Sequence, residues 1–332
     1  RCLLHRPRLL ILDEPADGLD PRGRNDLRRS LTRIREQGVT IVGHGELGDG
    51  VVDVPQYALF SPLFDVAFLS VDLVEMCAQA RLGEHLARGE ASAIDGAEHE
   101  MQQAMLRLRY ASVPVVSAIR GLALGGGCEL AVYSARRVAA MESYIGLVEV
   151  GVGLVPGAGG LTYIARRAAE HAASSTNKDL LPFLTEGFTA AAMAKVGTSA
   201  IESRQLGYLL DSDIIVPHKD ELLFVAITQA RAMAASGYRP PARRPFAVAG
   251  RNGLATIKGS LVNMRDGGFI SQHDYHIASQ IAHVVCGGDV DAGTLVTEEY
   301  LMALERQAFC ALVTNEKTQE RIMGMMSTGK PV

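Results

Sequence analysis

Two runs, Ile119-Arg-Gly-Leu-Ala-Leu-Gly-Gly-Gly-Cys-Glu-Leu130 and Glu149-Val-Gly-Val-Gly-Leu-Val-Pro-Gly-Ala-Gly-Gly160, set the fold expected of the whole chain. An apolar strand-like run, Val113–Ile119, leads into Gly125, Gly126 and Gly127, and a helix-like run, Cys128–Arg136, leads out. Glycines at such a junction let the backbone approach a ligand with no side chain between. The N–H groups at the helix start lack intrahelical partners, so an anion or oxyanion can sit against them. Glu129 falls in the first turn of this helix, and Glu149 stands before a second Gly/Pro-rich turn, 151–160. An oxyanion site and two carboxylates are the parts needed to move a proton beside a carbonyl. Each feature alone has a plain structural reading: a tight turn, a helix N-terminal acid held by the macrodipole, a loop acid.

The surrounding composition is that of an ordinary globular protein: 332 residues, 48% apolar, 21% charged. That length suits one large domain or two small ones. A net charge of −4 gives no sign of a nucleic-acid or membrane-surface partner. The five cysteines are scattered and form no CxxC, which favours reduced thiols over disulfides or zinc. No apolar run approaches the ~18 residues that span a bilayer, and no secretory signal opens the sequence. A cytoplasmic protein with no membrane insertion is expected. The chain starts at Arg1, so its natural N-terminus is expected to lie upstream.

Residues 1–44 read differently. Arg8-Leu-Leu-Ile-Leu-Asp-Glu-Pro15 is an apolar strand ending in two acids, and Gly23–Gln37 a helix pattern before a strand at Val39–Val42. This segment resembles the tail of an ABC-transporter ATPase domain. The resemblance implies a Walker B acid at Asp13, a general base at Glu14, a D-loop at Gly18-Leu19-Asp20 and a switch histidine at His44. The Gly-rich loop that would hold the phosphates is not in this sequence. Gly324-Met-Met-Ser-Thr-Gly-Lys330 fits its glycine spacing, but Pro331 takes the place of the Ser or Thr that would hold magnesium. Residues 45–75 form a junction.

Beyond it, Ile94, Ala97, Met101, Met105 and Leu108 recur at helical spacing over 93–109. Tyr144–Val148 predicts a short strand with Glu149 at its end. Further helices are expected at Leu161–Ala173, Thr189–Val196, Ile201–Leu206, Lys219–Ala235, Leu254–Met264, Ser271–Val285 and Thr297–Leu312. A short apolar run, Asp213–Val216, interrupts them, and Arg239–Pro245 reads as a subdomain boundary. Gly151-Val-Gly-Leu-Val-Pro-Gly157 imitates a dinucleotide fingerprint, but its third glycine comes one position late and Pro156 occupies the turn. His273, His276 and His283 share one helix pattern with no fourth ligand evident, which favours a polar face over a metal site.

Taken together, Gly121–Leu130 and Glu149–Gly160 resemble the crotonase (enoyl-CoA hydratase/isomerase) superfamily. From about Asp72 onward the chain is similar to the C-terminal half of long bacterial 3-hydroxyacyl-CoA dehydrogenases of fatty-acid β-oxidation. The resemblance implies an α/β fold, a crotonase-like ββα superhelix lacking its first units, with a helical C-terminal region. The expected division is 1–44 ATPase-like, 45–75 junction, 76–240 crotonase-like core and 241–332 helical. It implies an acyl-CoA substrate, no separate cofactor or metal, and a homo-oligomer. Glu129 would deprotonate the water that attacks C3, and Glu149 would supply the proton to C2. The N–H of Gly126 would hold the thioester oxygen, with a second donor at Val71, where Phe68-Leu-Ser-Val-Asp-Leu73 replaces the family's first oxyanion loop. Gly125, Gly127, Pro156 and Gly157 would line the substrate. Two alternatives stay open: an inactive chimera keeping the shape and self-association, and an ATP-binding remnant.

Overall fold

The computed structural model describes residues 9–13, 40–44, 67–69, 91–176 and 178–328, with backbone alone for the first three segments. A four-stranded sheet runs in the order β3 (Ala67–Leu69), β4 (Val115–Leu124), β5 (Arg136–Gly146), β6 (Ile214–Val216). Every pair in it is parallel. Parallel sheets need both faces covered, and residues 115–117 of β4 and 137–140 of β5 are buried accordingly. Successive residues serve opposite faces. Val116 and Val138 pack with Val216 against Leu222, Ala226 and Ala230 of α6 (Leu222–Ala235). Val115, Ile119 and Ala139 join the main core on the other face.

That core is closed by helices. They are α1 (Ala91–Arg109), α2 (Gly126–Tyr133), α3 (Gly160–Ser174), α4 (Leu181–Ala192), α5 (Ala200–Gln205), α7 (Gly250–Asp266), α8 (Gln272–Val285), α9 (Glu298–Val313) and α10 (Glu316–Thr328). Two short strands, β7 (Phe246–Ala247) and β8 (Leu295–Val296), pair antiparallel. Separately, β1 (Leu9–Asp13) and β2 (Thr40–His44) pair parallel, with Asp13 opposite His44. Strands were expected at both places; Glu14, Gly18–Asp20 and Val71 lie outside the described residues.

Several boundaries differ from expectation. The strand after α1 runs Val115–Leu124, past Ile119, because a register shift at Ile119/Gly121 lets it bend and continue. The helix after the glycine triplet ends at Tyr133, and Arg136 opens β5 rather than closing that helix. β5 then runs on to Gly146, so the strand expected at Tyr144–Val148 is the end of a longer one. The helix expected at Thr189–Val196 is α4, earlier in the chain. Pro182 sits in its first turn, where a missing N–H costs nothing, and Ala194 with φ 47 stops continuation beyond it. Gly324–Thr328, the first five residues of the apparent phosphate-loop spacing, belong to α10; Gly329 and Lys330 lie outside the described residues.

Candidate active site

The glycine triplet is held by the end of β5. Gly125 has φ 55 and ψ −123, a conformation open to glycine and strained for other residues, and its N–H donates to the Gly146 carbonyl at 2.9 Å. Gly126 is the first residue of α2, and a Cβ there would meet nothing within 4 Å. Its N–H belongs to the first turn, whose donors have no intrahelical partner. Gly127 is buried in the same turn.

One turn along α2, Glu129 points into the protein and is 3% exposed. Its Oε1 accepts from the N–H of Ala158 at 3.0 Å and of Gly160 at 2.7 Å. The carboxyl of Glu129 therefore caps α3, whose own N-cap residue, Gly159, offers no side chain. Burial is the largest influence on this group and pushes its pKa well above the usual carboxylate range. The nearby charges of Glu149, Glu305 and Glu98 push the same way, while the hydrogen bond from Gly160 opposes them. Glu149 opens a 3-10 turn, Glu149–Val152, rather than ending a strand, and it is half-buried. The two glutamates, twenty residues apart in sequence, thus come near enough for one charge to raise the other's proton affinity.

The 3-10 turn is fixed from the C-terminal helices. Gly153 closes it in the left-handed region at φ 85, and its carbonyl accepts from Thr318 Oγ1 at 2.8 Å. The guanidinium of Arg321 donates to the Val150 carbonyl at 3.3 Å and to Asp274 at 2.7 Å. Pro156 and Gly157 are buried. The Gly157 backbone lies against Glu98 and Phe309, 2.7 and 2.8 Å from where a Cβ would stand. Gln102 Nε2 bridges the carbonyls of Gly157 and Met302 at 2.7 and 2.8 Å. The run 151–157 therefore lies in a 3-10 turn and a loop, not between a strand and a helix as a dinucleotide fingerprint requires.

Sequence reasoning missed two acids here. Glu305, on α9, is fully buried, and burial pushes it up to about 7. Burial and the neighbouring Glu305 push Glu98 up to about 7 as well, against the pull of Arg306. The signal was present in the pattern: Glu305 interrupts the buried stripe Leu301, Met302, Ala308, Phe309, Leu312.

Among the described residues no cluster of three or more His, Cys, Asp or Glu side chains could hold a metal ion. His273 is buried and within 3.1 Å of Thr318 Oγ1, and it stacks on His276 with ring centroids 6.4 Å apart. A cavity of about 660 Å³ opens between α3, α4 and 205–208, lined by Arg167, His171, Phe183 and Tyr208 among others. It is separate from the glutamates but shares a wall: the Tyr208 hydroxyl accepts from Leu147 N–H at 3.4 Å, one residue past β5. No helix among the described residues is long and apolar enough to cross a membrane.

Residues 76–197 match the enoyl-CoA hydratase/isomerase family model. The match covers both glycine turns and both glutamates and supports membership of the crotonase superfamily. A "Probable 3-hydroxyacyl-CoA dehydrogenase" of Bacillus subtilis (strain 168) is 39% identical over 241 residues, 72% of this chain and 30% of that protein. A "Putative fatty acid oxidation complex trifunctional enzyme" of Rickettsia felis is 57% identical over 61 residues, 18% of this chain and 8% of that one. The chain thus spans under a third of the length of either relative. An enoyl-CoA hydratase from Rhodobacter sphaeroides 2.4.1 is similar in fold, with TM-score 0.51 and 13% identity over 98% of this chain and 88% of its own. These likenesses lend no support to the ATPase resemblance of residues 1–44.

Gly159 supplies a test of how tightly the crotonase-type turn is packed. It has φ 117, and a Cβ would stand 2.8 Å from both Met302 and the Tyr133 hydroxyl. The Tyr133 hydroxyl already donates to the Gly159 carbonyl at 3.0 Å. Gly159→Ala is expected to lower the unfolding free energy by about 1–3 kcal/mol from backbone strain alone, read from urea denaturation.

Proposed function

We propose that the chain carries out enoyl-CoA hydratase-type chemistry: addition of water to a trans-2-enoyl-CoA in fatty-acid β-oxidation. The observation that carries this reading is the pairing of Glu129 and Glu149 beside the N-terminus of α2. The charge of one raises the proton affinity of the other, an arrangement in which one proton can be shared between two carboxyls. That is a general acid and a general base in one site.

In the proposed cycle the ionised Glu129 takes a proton from water as its oxygen bonds to C3. The C2=C3 pair moves toward the thioester, and the oxygen becomes an enolate held by the Gly126 N–H, with Val71 as the proposed second donor. Glu149 then delivers its proton to C2. Both backbone bonds to Glu129 fall on Oε1, which orients the carboxyl so that Oε2 serves as the base. The match of residues 76–197 to the hydratase/isomerase family supports the reaction class. The fatty-acid oxidation names of the relatives support the metabolic setting.

The test is incubation of the whole chain with crotonyl-CoA, following loss of the conjugated thioester chromophore and formation of 3-hydroxybutyryl-CoA. Product should accumulate in proportion to protein. A folded sample that shows no turnover and no acyl-CoA binding would sink the reading.

A further inference from the structure

Five successive backbone N–H groups, residues 158 to 162, open α3, and two carboxylates from distant helices share them in an interleaved order. Glu129 takes Ala158 and Gly160 on Oε1, at 3.0 and 2.7 Å. Glu305 takes Gly159 and Leu161 on Oε1, both at 3.1 Å, and Thr162 on Oε2 at 3.2 Å. The Thr162 hydroxyl adds a fourth bond to Glu305 Oε2 at 2.8 Å. The order along the chain is therefore Glu129, Glu305, Glu129, Glu305, Glu305. Neither carboxyl can shift along the helix start without pulling donors that the other needs.

From this geometry we infer that Glu305 is a positioning residue for Glu129: it fixes the helix start on which the Glu129 carboxyl is seated. The inference rests on Glu129 being the base of the proposed reaction. It assigns a part in the site to α9, which lies outside the matched segment 76–197. The neighbouring residue on α9 supports the same turn from its other side. Arg306 donates to Gln102 Oε1 at 2.9 Å, and Gln102 holds the carbonyl of Gly157. The C-terminal helices are then part of the site's frame.

Charge acts together with geometry. The ionisable groups facing Glu305 are Glu98 on α1 and Glu129 and Tyr133 on α2, and Arg306 faces Glu98. A charge on Glu305 raises the proton affinity of Glu129. Removing it should therefore move the Glu129 titration to lower pH.

Glu305→Gln keeps the side chain's size and removes its charge and one acceptor. Two readouts should be taken on the whole chain. The first is the pH dependence of kcat for crotonyl-CoA hydration. The second is the Glu129 titration, by carboxyl NMR of protein labelled with [5-13C]glutamate, assigned against Glu129→Gln. Expected are a kcat loss of about tenfold to a hundredfold, a KM within about twofold, and a Glu129 midpoint displaced downward. A folded variant with unmoved midpoint and pH profile overturns the inference, as does a kcat loss that only tracks the folded fraction. If Glu305→Gln does not fold, Thr162→Val decides. It removes one donor to Glu305 and none to Glu129, so it makes Glu305 easier to protonate and should move the Glu129 midpoint the same way. An unmoved midpoint there also overturns it. A chain without turnover counts against the proposed reaction, while the NMR titration still decides the Glu305–Glu129 link.

Discussion

Glu149→Gln is expected to lower kcat for crotonyl-CoA hydration by about 10²–10⁴-fold, the range general acid–base groups contribute. Glutamine keeps the shape of the side chain but cannot release a proton to C2. Glu129→Gln should cost a similar factor for the opposite reason, since an amide cannot take a proton from water. The fold should survive this second change, because the amide oxygen can still accept the N–H groups of Ala158 and Gly160. The double variant decides whether the pair works as a unit. Groups acting on one transition state are far from additive, so it should be little slower than either single variant. The pH profiles should separate the two roles. In the wild type, activity falls on the acid side as the base is protonated. Burial, with the charge of Glu305, holds the Glu129 pKa above its ordinary range, so that limb should stand at higher pH than for an exposed glutamate. Glu149 is protonated in the active form, so Glu149→Gln should leave that limb in place and remove the alkaline one, where the wild type loses its acid. A Glu149→Gln variant that hydrates at the wild-type rate would remove the assigned roles.

The parts of this site legible in the sequence are those the chain makes locally. Gly125–Gly127, Glu129 and Glu149 sit within short runs whose turn chemistry shows in residue type, and the long amphipathic helices follow from apolar spacing. The structure brings Glu129 and Glu149 together and places Gly126 at a helix start. What was not legible depends on pairing at a distance. The lengths of β4 and β5 come from their pairing with one another, which continues past Gly121 through a register shift. The run Leu122–Gly125 was hidden by that break in the apolar pattern. Glu305 lies on a helix read correctly from its spacing, yet its partners are 143 to 146 residues away. Only its place within an apolar stripe hinted that a buried partner was waiting. An acid there is costly to bury unless donors meet it, and the start of α3 supplies them. The same holds for Thr318 and Arg321, which hold the Glu149 turn from α10, a helix inside the expected helical region 241–332 but without bounds of its own there.

Asp213→Ala is expected to cost about 3–5 kcal/mol of unfolding free energy, the penalty for breaking a buried ion pair from one side. The loss would be a large part of the ~5–15 kcal/mol that ordinarily holds a domain together. The Asp213 carboxylate is fully buried and sits 2.5 Å from the Arg137 guanidinium, itself nearly buried. One oxygen also accepts the Arg137 N–H at 3.0 Å, and the other accepts the Leu210 N–H at 2.6 Å. Truncation would leave the guanidinium with only the Val132 carbonyl at 3.2 Å, together with two backbone donors lacking their acceptor. The consequence should reach the site, because Arg137 stands near the start of β5 and Gly146 at its end receives the Gly125 N–H. Asp213 leads directly into β6, whose Ile214 pairs with Val138. Loosening this corner frees the strand that fixes the glycine triplet, so activity should fall ahead of global unfolding. Urea denaturation followed by circular dichroism gives the stability change, and hydration rates at low urea give the local one. The double variant Asp213→Leu with Arg137→Met removes both charges and should recover much of the loss, because the desolvation cost disappears with the attraction. A single Asp213→Ala variant within about 1 kcal/mol of wild type would place this pair among exposed ion pairs and contradict its burial.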